Sequence, residues 1–434
     1  MRMLRLVVAL LIGLGLVVAV QSGPAEASPD HYNVRGGVKF NEPYGRHGHS
    51  WRAIRRHIVR TINTMKKGDH IKIASWNVRG RPYTDSLIKA HKRGVSVQVI
   101  MDRGNAGPGH PNPEVARMVK AFKGDGKRKA ADQSWVKKCV SSCRGSRGIP
   151  HTKFFLFDHV GSKSWVTMYG SNNATDVAAK QQWNDLMTFV GKKAIYSKFL
   201  TIFNQMRRDK NLGQKAFVPW KANKKITFNF YPYVGPKATG DPDLKRLKQV
   251  RCKGAVNAGW KGHTKVRIAQ DALLSDRGQA IAHRLVHMKR HGCDIRLVYS
   301  LLGGKVRKIL KNGHVPMLQY SYDSNRDGMY DIYLHMKAMA ISGVFRGNRS
   351  AHVVFNGTAN WTPVALASDE VVTKIQSGPV MRKYVNWIDF LFNNRPRRWG
   401  PDNLGRVTTT TSIVNGRKVV TKVDPYALMK REGL

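Results

Sequence analysis

Apolar residues recur along this chain with two alternating periods. Trp51, Ile54, Ile58, Ile62 and Met65 follow Ser50 at helical spacing, with arginines on the opposite face. The pattern predicts a helix capped by Ser50 and closed by Gly68. Strand-like runs flank it, Val38 to Pro43 before and Ile71 to Val78 after. Asp85 to Arg93, closed by Gly94, reads as a second helix, and Val95 to Met101 as a continuous apolar strand. This strand–helix–strand order predicts an α/β fold with a parallel sheet covered on both faces. Lys120 to Arg147 is basic and polar and reads as an exposed segment, Lys193 to Met206 as a helix, and Ala216 to Lys225 as a linker.

The order then repeats. Ile226 to Tyr231 ends in Pro232 as the first strand ends in Pro43. Val266 to Leu273 matches Ile71 to Val78, Arg277 to Gly292 matches the helix closed by Gly94, and Asp294 to Tyr299 matches Val95 to Met101. The offsets lie near 184–198 residues. Two copies are too few for a solenoid, so the expectation is two α/β/α sandwich halves related by a pseudo-twofold axis, with a site in the cleft between them. The expected divisions are residues 1–27, 28–222, 223–396 and 397–434. The last carries two strand-like runs around Asn415-Gly416, a hairpin signal.

The repeat carries chemistry. His151 and Lys153 precede the apolar run Phe154–Phe157 and Asp158, followed by Gly170, Ser171 and Asn173. The second copy, 184 residues on, has His335 and Lys337, then Gly357, Thr358 and Asn360. In extended chain residues i and i+2 point the same way, so each His projects with its Lys. Two such sets facing each other would surround one phosphate. The lysines neutralise its oxygens, and Ser171, Asn173, Thr358 and Asn360 donate hydrogen bonds. A neutral imidazole can attack phosphorus while a second, protonated one serves as acid and then as base for water. Asp185 and Glu370, downstream of each Asn, are the carboxylates expected to orient the rings. This chemistry requires no metal or cofactor.

These residues resemble the phospholipase D superfamily. His151, Lys153, Asp158, Gly170, Ser171 and Asn173 match its HxKxxxxD…GSxN signature in full. In the second copy Ser342 stands where the family has Asp, and Thr358 replaces Ser. The resemblance runs from Val38 to about Phe392. It implies two halves sharing one cleft, a covalent phosphohistidine on His151, and His335 as general acid. It also implies that the motif Asp supports structure or positions the His.

Charge and targeting set the context. Of 434 residues, 75 are Lys or Arg and 27 Asp or Glu, a formal charge of +48. Such a surface concentrates polyanions. Arg2 and Arg5, an apolar run to Val20, and Ala25-Glu26-Ala27 read as a secretory leader, with a mature chain from Ser28. Export makes disulfides the expected state of the four cysteines. Cys139 with Cys143 and Cys252 with Cys293 is the favoured pairing, though other pairings stay open. Cys-x3-Cys without a matching His/Cys cluster is poor zinc spacing. Asp323-Ser324-Asn325-Arg326-Asp327-Gly328 with Asp331 resembles the start of a calcium loop, but Leu334 stands at its closing position, which favours a plain turn.

Three functional readings follow. One is a secreted monomeric phospholipase D acting on phospholipid headgroups at a membrane surface. The second is a secreted nuclease, and the third an inactive cationic polyanion-binding protein.

Overall fold

The computed structural model describes residues 31–107, 110–234, 240–324, 330–396 and 399, with the backbone of the strands Thr409–Val414 and Arg417–Lys422. The expected leader and most of the 397–434 segment lie outside the described residues. The two C-terminal strands pair antiparallel with each other alone.

Two sheets dominate. The first runs, across its width, Trp135–Cys139, Ser96–Asp102, His70–Ala74, Phe154–Val160, Lys163–Gly170, Asp185–Phe189 and Gly37–Phe40. The second runs Met317–Gln319, Asp294–Leu302, Lys265–Leu273, Lys337–Phe345, Asn348–Gly357, Val371–Gln376 and Ile226–Phe230. Position for position this is the same order, so the repeat read in the sequence is a repeat of topology. Both sheets are mixed, not parallel as expected. Three strands on one side of each are parallel, and the motif strand and those beyond it run antiparallel.

Several local expectations change. The first helix spans Ala53–Thr64, and Ser50 accepts the Arg52 N–H without capping the helix. The second begins earlier than expected, at Arg81, with Pro82 in its first turn where no N–H is needed. The basic stretch Lys120–Arg147 is not merely exposed. The helix Pro113–Ala121, capped by Asn112, leads into it, and it contains the strand Trp135–Cys139 at the sheet edge. The expected linker holds the strand Val218–Lys221, which extends the second sheet beyond Ile226–Phe230. The second sheet therefore starts before residue 223.

The halves are joined by a shared core and a small third sheet. Phe154, Tyr169, Trp183 and Phe199 from the first half pack in one cluster with Phe228, Met336, Tyr384 and Trp387 from the second. Phe40 stacks on Trp387 at 4.8 Å. Gln182–Trp183 pairs in parallel with Ile332–Leu334, so one half's chain crosses the other's just before His335. Both disulfides form as favoured, Cys139–Cys143 and Cys252–Cys293. Among the described residues no helix is long and apolar enough to cross a membrane. In the Asp323–Asp331 turn, Asp331 accepts the Ser324 N–H at 2.7 Å, and residues 325–329 lie outside the described residues.

The motif Asp and its replacement sit at the far end of their strands. Asp158 accepts the His70 N–H and bonds the His70 ring, both at 2.7 Å, and the same ring meets Asp132 at 2.9 Å. Ser342 accepts the Gly259 N–H at 3.0 Å and so anchors the loop that precedes the strand Lys265–Leu273. Each lies five positions along its strand from its Lys, roughly 17 Å. Asp158 is therefore a structural ligand of His70, the role the resemblance implies for it, and Ser342 takes the equivalent place in the second half.

Asp158 raises the His70 pKa, and the His70 contacts outweigh burial to lower that of Asp158. The stabilising contribution of this pair is therefore complete between the carboxylate range and about pH 6.5, and it falls as pH rises through the raised His70 value. Thermal melts of wild type and His70→Ala should differ most near pH 5–6 and converge toward pH 9. Ser342→Ala should melt lower but keep full activity.

Candidate active site

Each motif ends in an extended segment just before its strand. His151 and Lys153 precede the strand Phe154–Val160, and His335 precedes the one that starts at Lys337. The motif glycines permit the close approach of the next strand. A Cβ at Gly170 would lie 2.2 Å from the Asp185 carbonyl oxygen, and one at Gly357 would lie 1.9 Å from that of Val371. No side chain fits there, so the Gly of each motif is a packing requirement.

The two histidines and two lysines of the motifs converge in one buried cluster. His151 is 8% exposed and His335 5% exposed. Lys153 and Lys337 are buried, each donating from Nζ to the carbonyl of its own motif histidine. Lys337 also pairs with Asp271 at 3.2 Å. Burial holds both lysines below their usual value, Lys153 by a wide margin. Burial likewise lowers both histidines, and Lys337, Lys153 and His151 push His335 lower still.

The rings are oriented across the halves. His151 Nδ1 bonds Glu370 Oε1 at 2.7 Å, as expected for an orienting carboxylate. Glu370, despite its burial, is held below the usual carboxylate range by His151 and Lys153. The partner of His335 is not Asp185 but its neighbour Asn184, whose Oδ1 lies 3.0 Å from His335 Nδ1. Asn184 Nδ2 donates to the Ala178 carbonyl, which fixes its Oδ1 as acceptor. His335 therefore carries its proton on Nδ1 and, when neutral, keeps a lone pair on Nε2. Asp185 points away, accepting from Tyr384 Oη at 2.6 Å and Asn356 Nδ2 at 3.1 Å. Register explains the shift. Ser171 N–H bonds the Asp185 carbonyl and Thr358 N–H that of Val371, so the residue before each pair, Asn184 or Glu370, is the equivalent position.

The motif hydroxyls also act differently from expectation. Ser171 Oγ donates to Asn184 Oδ1 at 2.8 Å, and Thr358 bonds Glu370 and the Val371 backbone. Each hydroxyl holds the residue that orients the opposite histidine. The motif amides stay available for a ligand. Asn173 is fully buried with no hydrogen-bond partner on either side-chain atom, and Asn360 Oδ1 has none. Such orphaned groups suit a site whose ligand completes the bonding.

Two residues escaped the sequence reading. Asp271 occupies in the second sheet the place that Trp76 holds in the first, and the Trp76 ring lies 5.8 Å from His151. Their mismatch hides the pair from any repeat-based search. Among the described residues the groups with metal-ligand spacing lie elsewhere, at Asp69, Asp158 and His159 and at the disulfide-bonded Cys139 and Cys143 with Asp209.

Comparison with known proteins agrees with this architecture. Residues 58–207 match the family described as cardiolipin synthase, PLD-like domain. The phosphatidylserine synthase of Haemophilus influenzae shares the fold over 83% of this chain and 86% of its own, at 11% identity and TM-score 0.53. Sequence likeness to a PLD-like domain thus covers residues 58–207, and the shared fold extends beyond it. Nuc of Salmonella typhimurium aligns with 40% of this chain and 96% of its own, at 19% identity and TM-score 0.30. The polyphosphate kinase of Porphyromonas gingivalis aligns at 10% identity and TM-score 0.49. It covers 83% of this chain, which spans 51% of that enzyme. Curated protein sequences gave no match.

The asymmetry of the two acceptors has a measurable consequence. Imidazole NMR titration should place His335 below its usual value of about 6.5. Asn184→Asp should raise it, because a carboxylate favours the charged ring, and Glu370→Gln should lower His151 further.

Proposed function

We propose that the protein is a secreted phosphodiesterase that cleaves phospholipid headgroups through a phosphohistidine on His151. The convergence of His151, His335, Lys153 and Lys337 with Glu370 carries this reading. Neutral His151 attacks phosphorus through Nε2, and the leaving oxygen takes the His335 Nε2 proton. The P–N bond then yields to water, whose proton returns to His335. Attack turns His151 into a cationic ring, and Glu370 at Nδ1 stabilises that charge. His335 must instead lose its proton readily, and a neutral amide at Nδ1 does not oppose the loss. A bound phosphate supplies the negative charge that keeps His335 and both buried lysines protonated until then.

The lipid reading draws on the site's surroundings. Val140, Val234 and Val364 are 68%, 36% and 38% exposed. They lie on segments bonded to one another around Glu370, with Tyr233 N–H on the Leu366 carbonyl and Asp369 N–H on that of Ile149. Exposed aliphatic side chains around a phosphodiester site suit acyl chains better than nucleotides. The match to a family described as cardiolipin synthase, PLD-like domain, fits the same reading. Nucleic acid remains the second reading because of the +48 charge, and an inactive binder the third.

Purified protein should release headgroup from phosphatidylcholine vesicles, with His151→Asn and His335→Asn each reduced by about 10³-fold or more. Strand cutting of DNA or RNA without headgroup release would replace the lipid reading with the nuclease one. Full activity in either variant would refute the site.

A further inference from the structure

One buried carboxylate beside the site takes no part in the proposed reaction. Asp369 is 1% exposed and immediately precedes Glu370. Its Oδ2 accepts the Cys143 N–H at 2.6 Å, and the Ser142 side chain bonds it as well. Its Oδ1 has no hydrogen-bond partner. The other charged groups that act on it are Arg144 and Glu370. Ser142 and Cys143 stand on the turn that Cys139–Cys143 closes, and Arg144 follows it directly.

Arg144 fastens that turn. It is buried, and its guanidinium donates to Gln205 Oε1 at 3.0 Å, to the Tyr231 carbonyl at 2.9 Å and to the Ala216 carbonyl at 2.5 Å. From the turn onward the first half grips the second rung by rung. Gly148 runs so close to residues 367–368 that a Cβ there would lie 2.5 Å from the Ala367 carbonyl, at a φ of +73° that itself favours glycine. Ile149 N–H bonds Ser368 Oγ at 3.1 Å, and Asp369 N–H bonds the Ile149 carbonyl at 3.0 Å. The next rung is the 2.7 Å bond between His151 and Glu370.

We propose that Asp369 and the disulfide-closed turn 139–143 form a positioning clamp that holds Glu370 against His151 across the two halves. The clamp acts on the reaction proposed above, and it also has a readout that needs no substrate. Cys143 N–H and the Asp369 carboxylate fix the backbone of residue 369, and with it the direction in which the Glu370 side chain leaves the chain. If the clamp opens, Glu370 swings from Nδ1 and the imidazole loses its orientation. A misplacement of about 1 Å in such a site costs on the order of 10²-fold in rate.

The decisive experiment combines Asp369→Ala, Asp369→Asn and Cys139→Ala/Cys143→Ala. Asp369→Ala should lower kcat about 10²-fold at nearly constant KM. Asp369→Asn, which keeps an acceptor for Cys143 N–H, should restore most of the rate. The double cysteine variant should be slow, and thiol reductant should slow the wild type to the same level while leaving that variant unaffected. The reductant comparison assigns the effect to Cys139–Cys143, since the variant retains Cys252–Cys293. In parallel, imidazole NMR of the substrate-free full chain should show the His151 pKa lowered in Asp369→Ala, because the Glu370 contribution is lost. That readout stands even if no phosphodiester is cleaved, which separates failure of the clamp from failure of the functional reading. An unchanged His151 titration in folded Asp369→Ala would overturn the proposal. So would a wild-type rate indifferent to reductant, or an Asp369→Asn variant as impaired as Asp369→Ala. Should Asp369→Ala not fold, Asp369→Asn and the reductant comparison remain decisive.

Discussion

The site depends on a hydrogen bond that neither half can make alone, between His151 of the first and Glu370 of the second, 2.7 Å across the seam. Its mirror is the bond from His335 to Asn184. Each half supplies a reactive imidazole and receives its orientation from the other. The duplicated fold is therefore a single functional unit, and the shared aromatic core and the crossed strands at Gln182–Trp183 and Ile332–Leu334 serve to hold that seam in register. The two bonds differ in kind. A carboxylate favours the charged ring and an amide is nearly indifferent to it, so near-identical scaffolds present two histidines suited to different tasks.

Burial shapes the rest of the electrostatics. Two lysines and two histidines share a desolvated space in which Glu370 and Asp271 oppose them, with Asp185 acting on Lys337 as well. Without a ligand the cluster relieves itself by lowering its pKa values. A phosphate brought into it restores the missing negative charge, and the orphaned amides of Asn173 and Asn360 gain partners at the same moment. In the proposed reaction, recognition of the anion and activation of the acid are one electrostatic event.

Much of this was legible in the sequence, for identifiable reasons. His-x-Lys in extended chain, a Gly that no Cβ could replace, and the repeat of element order are local features, and all survive folding. The misses required knowledge of pairing. Asp185 looked like the counterpart of Glu370 by residue type, but in a strand a shift of one residue reverses the face, and Asn184 has the correct register. Ser171 and Thr358 looked like phosphate donors and instead hold Asn184 and Glu370. Asp158 binds His70, the supporting role that the resemblance implied for the motif Asp. Short edge strands such as Trp135–Cys139 and Val218–Lys221 are only partly covered and too brief for their pattern to mark them in the sequence.

The central claim is that His151 forms the covalent bond to phosphorus. The most direct measurement is acid-free denaturation of a His335→Asn variant during turnover of a phosphodiester with a good leaving group, followed by peptide mass mapping. Such a substrate needs no acid to leave, and the intermediate should persist for lack of the base that activates water. The account predicts one phosphoryl adduct on the peptide bearing His151. An adduct on another residue, or turnover with no adduct under these conditions, would contradict it.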